Sequence, residues 1–212
     1  MASGGRGGQH VTPRHRDLLL TAVMLGLALT PAWFVPTWLS VPWQLVFFVV
    51  GPLALWHSWH HAPWQPTPRA ELDRVLRALA LRPESRFCDL GAGDGRLVAR
   101  VHAATGAECT GLEVSPLLWL VASARLAASR RTRARLGDLY RADLSSYDAV
   151  YVWGTAYSVD TERFGAHVRT AMRPGARLVS YHHPVHGLVP DRVDEGGQRP
   201  LFVYTIPSPG AR

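Results

Sequence analysis

Three features of the sequence predict an α/β fold, a doubly wound and mostly parallel sheet preceded by a transmembrane helical hairpin. Helix and strand patterns alternate from Arg69 to Ile206, a glycine-rich turn follows the first of those strands, and a charge-free apolar stretch precedes them. Alternation of this kind runs strands in parallel with helices on both faces. At 212 residues there is room for one domain of ordinary size and something extra. Two cysteines exclude a disulfide-stapled secreted scaffold. The formal charge of +7 rests on 23 basic residues, every one an arginine. Biased residue usage explains that better than an arginine-specific role.

Residues 1–17 are glycine-rich, basic and without apolar periodicity, so they are expected to be disordered. After Asp17 no Asp, Glu, Lys or Arg occurs until Arg69, where roughly one charge in four residues is usual. Two apolar runs, 18–34 and 43–59, each reach about 25 Å as helices, near the lower limit for crossing a hydrocarbon core. Pro31, Pro36 and Pro42 cluster between them, where a hairpin turns, and Pro52 is placed to kink the second run. Six of the eight tryptophans fall between 33 and 64: Trp33, Trp38 and Trp43 mark one interface, and Trp56, Trp59 and Trp64 the other. Arg6, Arg14 and Arg16 precede the first run; Arg69, Arg74, Arg77 and Arg82 follow the second. Both ends are therefore expected on the cytoplasmic side. A buried helical pair or a cleaved signal peptide fits less well, because tryptophans and charge silence coincide and a second run follows at once. The expected organisation is two transmembrane helices over 18–61, a stiff proline-rich linker over 62–68 and an α/β domain over 69–212, making the chain an integral membrane protein.

Within the α/β domain, residues 69–80 place Leu72, Val75, Leu76 and Leu79 on one helical face. Strands are expected at 86–90, 108–113, 134–139, 149–154, 177–181 and 201–206, and further helices at 96–104, 116–129 and 161–172. The last helix is closed by Arg173-Pro174-Gly175.

The first strand runs into Asp89-Leu90-Gly91-Ala92-Gly93-Asp94-Gly95. Glycines let the backbone pass close to a ligand, and the helix that follows offers unpaired N–H groups. A dinucleotide site wants G-x-G-x-x-G, whereas the spacing here is G-x-G-x-G with Arg96 next. Asp89, just before the first glycine, would repel a pyrophosphate and attract a cation. S-adenosylmethionine, with a sulfonium and an ammonium, suits that acid better than a dinucleotide does. Glu113 closes the second strand, where a carboxylate can take both ribose hydroxyls. Asp138, at the end of the third, is placed for the adenine amino group. The bland alternative makes the glycines a tight turn and the acids helix caps.

The same residues resemble a known family. Asp89-x-Gly91-x-Gly93-x-Gly95 is similar to the first motif of class I methyltransferases, which have a Rossmann-like sheet. Pro66-Thr67-Pro68, the glycine loop, Gly111-Leu112-Glu113-Val114-Ser115-Pro116, Gly137-Asp138-Leu139 and Asp143-Leu144-Ser145 follow one another in a narrower group. That group comprises the membrane-anchored protein-lysine methyltransferases of the ATP synthase c-subunit and the adenine nucleotide translocase. The resemblance implies S-adenosylmethionine as cofactor, with Asp89, Gly91, Gly93 and Gly95 at its methionine end, Glu113 at the ribose and Asp138 at the adenine. It also implies a membrane-protein substrate. The chain departs from the group in Ser115-Pro116, where Asn-Pro is usual, in Tyr181-His182-His183-Pro184 after the fifth strand, and in having a hairpin rather than a single span.

For the acceptor side, the fourth strand ends in Val152-Trp153-Gly154-Thr155-Ala156-Tyr157. It lacks Asn/Asp-Pro-Pro-Tyr, which disfavours methylation of an amide or adenine nitrogen. Gly154 either opens the approach, with Trp153 or Tyr157 as an aromatic wall, or serves packing. His183, with His182 and His186, is a substrate-facing candidate. No metal is expected, since neither this cluster nor His57, His60 and His61 is joined by a cysteine or an acid at ligand spacing. The arginine-rich stretch Arg125, Arg130, Arg131, Arg133 and Arg135 reads as a solvated helix C-terminus, with contact to anionic lipid as the alternative. Nucleic acid is not expected, because aromatics are not interleaved there. No residue is marked as the catalytic base. Methylation of a lipophilic small molecule and a silent nucleotide-binding module remain the competing functions.

Overall fold

The computed structural model describes residues 65–208. The basic tail, the two apolar runs and residues 62–64 lie outside the described residues, and so do the spans and the disorder expected there. Among the described residues no helix is long and apolar enough to cross a membrane.

Seven strands form one sheet in the order β3-β2-β1-β4-β5-β7-β6. They are β1 (Arg86–Leu90), β2 (Glu108–Glu113), β3 (Thr132–Leu136), β4 (Ala149–Val152), β5 (Arg177–Tyr181), β6 (Arg192–Asp194) and β7 (Leu201–Thr205). The first five run parallel; β7 is antiparallel to β5, and β6 to β7. The helices are α1 (Leu72–Leu79), α2 (Arg96–Thr105), α3 (Pro116–Leu126), α4 (Ala156–Val159) and α5 (Glu162–Ala171). Strand order reverses between β1 and β4, which opens a crevice at the carboxyl ends of those two strands.

β1 is buried on both faces because its side chains divide between two cores. Phe87 packs with Val98, Val101, Tyr151 and Val179 on one side; Cys88 and Leu90 pack with Val150, Val152 and Phe164 on the other. Both cysteines are buried and free. Helix starts follow local chemistry. Ser115 caps α3 by accepting from Leu118 N, with Pro116 at the first helical position, and Thr161 caps α5 by accepting from Phe164 N.

The expected α/β sheet is present, with three corrections. β3 begins two residues earlier than expected and ends three earlier, because α3 stops at Leu126 and Thr132 Oγ1 donates to the Leu126 carbonyl at 2.6 Å. β6 and α4 escaped notice, at three and four residues too short to show a period. Third, Arg130–Arg135 is no helix terminus: Arg133 and Arg135 lie on β3, the exposed edge strand, where charge discourages edge pairing.

Arg74, one of the arginines that follow the second apolar run, is buried, with Nη1 2.9 Å from Glu71 and Nε 3.8 Å from Asp194, and it donates to the Arg199 carbonyl. This network ties the start of the domain to the β6–β7 hairpin.

Candidate functional site

The glycine loop owes its path to three left-handed residues, Gly91 (φ 86°), Gly93 (φ 56°) and Gly95 (φ 75°), a region that side chains rarely adopt. Gly91 N and Ala92 N both donate to the Leu112 carbonyl at 2.9 Å, pinning the loop to the end of β2. Gly111, beside Asp89 in the sheet, permits this approach: a Cβ there would stand 2.7 Å from Ala92 Cβ. At Gly95 a Cβ would meet Ala122 of α3 at 3.1 Å.

Asp89 is 4% exposed at the end of β1. Burial, and then the nearby Glu113 carboxylate, push its carboxyl up to about 8. An acid in that state gains from a cation beside it. Glu113 is buried and bridges two turns, with Oε2 accepting from Gly93 N and Oε1 from Ser115 N, both at 2.8 Å. Each oxygen keeps a second lone pair for a hydroxyl. Asp138 stands two residues beyond β3 rather than on it. It caps a 3₁₀ turn by accepting from Tyr140 N at 2.9 Å, while Gly137 N donates to the Glu113 carbonyl at 2.9 Å.

A pocket opens where the crevice is expected. Its floor is the loop from Gly91 to Asp94, and Asp89, Tyr151 and Trp153 form one wall, with Gln65, Pro66 and Thr67 closing another. Thr67 is buried and shares a 3.1 Å hydrogen bond with the Tyr151 hydroxyl. The end of the proline-rich stretch is thus part of the pocket wall. Of the residues expected from sequence, Asp89, Gly91, Gly93 and Trp153 line this pocket; Gly95, Glu113, Asp138, Gly154, Tyr157 and His183 do not. Trp153 stacks edge-on against Tyr181 at 5.0 Å. Gly154 has a packing reason, since a Cβ there would come within 2.4 Å of Ser158 Oγ and 2.6 Å of Val159. Tyr157 is 91% exposed. His183 lies against the His182 ring, and burial holds its imidazole below the usual range, partly opposed by Asp160.

Sequence reasoning missed Thr67 and Tyr151 as partners, Gly111, and Asp94. Asp94 bonds Arg96 at 2.8 Å and Arg125 at 2.6 Å, and Arg125 also donates to the Asp94 carbonyl. Burial alone would raise the Asp94 carboxyl, but hydrogen bonds from Arg96 and Arg125 outweigh it and hold the group below the usual carboxylate range. Arg125 therefore clamps the glycine loop onto α3.

Comparison with known proteins agrees with this geometry. The family described as ANTKMT methyltransferase domain matches residues 89–192. A protein-lysine N-methyltransferase of Saccharolobus islandicus is 24% identical over 69% of this chain and 94% of its own length. The adenine nucleotide translocase lysine N-methyltransferase of Mus musculus is 29% identical over 70% of this chain and 65% of its own, a little under two thirds. Among solved structures, an RNA methyltransferase from Salinibacter ruber, in complex with S-adenosyl-L-homocysteine, superposes with a TM-score of 0.64. It is 27% identical and covers 68% of this chain and 95% of that one.

Fold, loop and comparisons define a class I S-adenosylmethionine-dependent methyltransferase. Within that class the chain resembles the protein-lysine methyltransferases whose motifs its sequence shares. The cofactor fits the residues present: a buried acid with a raised carboxyl suits a cationic ligand, and a left-handed glycine loop lets backbone close on it. Arg125→Ala is expected to weaken S-adenosylmethionine binding about tenfold by loosening that loop. Calorimetric titration measures this, and unchanged affinity would show that the loop keeps its shape without the clamp.

Proposed function

We propose that the chain is a membrane-anchored methyltransferase that modifies lysine side chains of membrane proteins at the cytoplasmic surface of the bilayer. The observation that carries the reading is the position of Gln65-Pro66-Thr67 in the pocket wall. Only residues 62–64 separate that wall from the expected end of the second span. Even extended at about 3.5 Å per residue, the chain from His61 to Gln65 reaches only some 14 Å. A pocket so tethered meets acceptors embedded in the same membrane at high effective concentration.

In this reading Asp89 and the glycine loop hold the methionine end of the cofactor, Glu113 the ribose and Asp138 the adenine. Bound there, S-adenosylmethionine supplies a methyl group carried on a sulfonium. The protein's part is positioning and exclusion of water. Trp153, at the wall of the pocket, gives the acceptor's hydrocarbon stem an aromatic surface. A lysine, with a free pKa of about 10.4, must arrive without its proton. The lysine assignment is supported by two relatives that carry that activity in their names.

Deleting residues 1–61 is expected to preserve cofactor binding and to lower methylation of the native acceptor in membranes at least about tenfold. The check is label transfer from methyl-tritiated cofactor into isolated membranes. An unchanged rate for the truncated chain defeats the tethered reading, whereas loss of cofactor binding would show that residues 1–61 are needed for the site itself.

A further inference from the structure

The glycine loop has few hydrogen-bond donors left to offer a ligand. Gly91 N and Ala92 N donate to the Leu112 carbonyl, Gly93 N to Glu113 and Gly95 N to the Ala92 carbonyl. The Arg96 guanidinium lines the pocket as well, and it forks onto both carboxyl oxygens of Asp94. S-adenosylmethionine carries a carboxylate on the same carbon as its ammonium. That carboxylate must enter a pocket bordered by Asp89 and Asp94. Like charges so close repel, so a donor has to offset them.

The opposite wall holds one. Thr67 Oγ1 and Tyr151 Oη stand 3.1 Å apart, and both residues are buried and line the pocket. Two hydroxyls carry two hydrogens, and the bond between them uses one. Among the described residues neither oxygen has a second partner. A buried hydroxyl hydrogen without an acceptor is rare in a folded protein, and at a pocket wall it points to a ligand that completes it. Burial holds the Tyr151 phenol well above its ordinary range, so its hydrogen is retained at neutral pH. Pro66 and Pro68 flank Thr67 and restrict its backbone on both sides. Tyr151 is the Cα partner of Asp89 across β1 and β4, with the two side chains on one face of the sheet. Neighbouring strands stand about 4.8 Å apart, so the acid and the hydroxyl pair border the same end of the pocket.

We propose that Thr67 and Tyr151 act as one unit that reads the cofactor's carboxylate, donating the hydrogen left over from their mutual bond while Asp89 takes the ammonium. The inference rests on the placement of the cofactor's methionine end at Asp89. It makes the segment that leads into the domain a determinant of cofactor selection.

The test is calorimetric titration of the full chain with S-adenosylmethionine and with its decarboxylated form, which keeps the sulfonium and the ammonium. Wild type should bind the carboxylate form about tenfold or more tightly than the decarboxylated one. Thr67→Val combined with Tyr151→Phe should cancel that preference by weakening S-adenosylmethionine alone, with the decarboxylated form bound as before. Thr67→Ser, which keeps a hydroxyl, should retain the preference. Equal weakening of both ligands in the double variant would give the pair a structural role only and overturns the proposal. A preference that survives both substitutions also overturns it, and assigns the carboxylate to the start of α2. Asp89→Asn reads the underlying placement separately: it should weaken both ligands, since both keep the ammonium, and unchanged binding of both defeats that placement whatever the hydroxyl pair does.

Discussion

Asp89→Asn is expected to weaken S-adenosylmethionine binding by about a hundredfold to a thousandfold, some 3–4 kcal/mol. Asp89 is 4% exposed, and burial together with Glu113 pushes its carboxyl up to about 8. A cation in the pocket favours the ionised form, so binding below about pH 8 releases a proton. Affinity should therefore climb as pH rises towards 8 and then level off. Stability of the cofactor-free protein runs the other way. The folded state holds this proton to a higher pH than the unfolded chain does, so the contribution is complete below about pH 4 and is lost as pH rises through about 8. Asparagine removes that dependence, and the empty variant should be as stable as wild type or more so in alkaline buffer. Calorimetry in two buffers of different ionisation enthalpy reads the proton. Wild-type affinity in the variant, or no proton release at neutral pH, contradicts the placement of the cofactor's cationic end at Asp89.

Gly111→Val is expected to abolish measurable cofactor binding and to cost about 1–3 kcal/mol of stability. A Cβ at Gly111 would stand 2.7 Å from Ala92 Cβ and 3.1 Å from Val98. Both are buried parts of the glycine loop and of α2, with little room to move. The loop must lift away from β2, which breaks the two hydrogen bonds that pin Gly91 and Ala92 to the Leu112 carbonyl and displaces Gly93 from Glu113. Urea unfolding and cofactor titration of the same preparation separate the two effects. Intact binding with full stability would mean that the β2 contact does not shape the loop.

Gly111 also shows where sequence reading stops. The boundaries of β1, β2 and β5 were legible because a proline or glycine brackets each closely: Pro83 and Gly91, Gly106 and Pro116, Gly175 and Pro184. Asp89 and the glycines were legible because their chemistry is local: an acid, then three residues able to take positive φ. The need for glycine at 111 arises from Ala92, a neighbour only once two strands pair. Asp94 reaches Arg125 across 31 residues, and Thr67 reaches Tyr151 across 84, separations at which no periodicity survives. β3 was misplaced because an edge strand carrying Arg133 and Arg135 has the composition of a solvated loop. Glu113 shows a subtler limit. Its place at the end of β2 was readable, but its two backbone hydrogen bonds, to the glycine loop and to the turn before α3, were not.

Transfer of tritium from methyl-labelled S-adenosylmethionine to native membranes, followed by extraction and acid hydrolysis, tests the central claim most directly. The predicted result is label in the protein fraction that co-elutes with methylated lysine after hydrolysis, absent with Asp89→Asn. Label confined to the lipid extract or to RNA would contradict the lysine assignment, and no transfer to any fraction by a cofactor-binding chain would contradict catalysis on membrane acceptors.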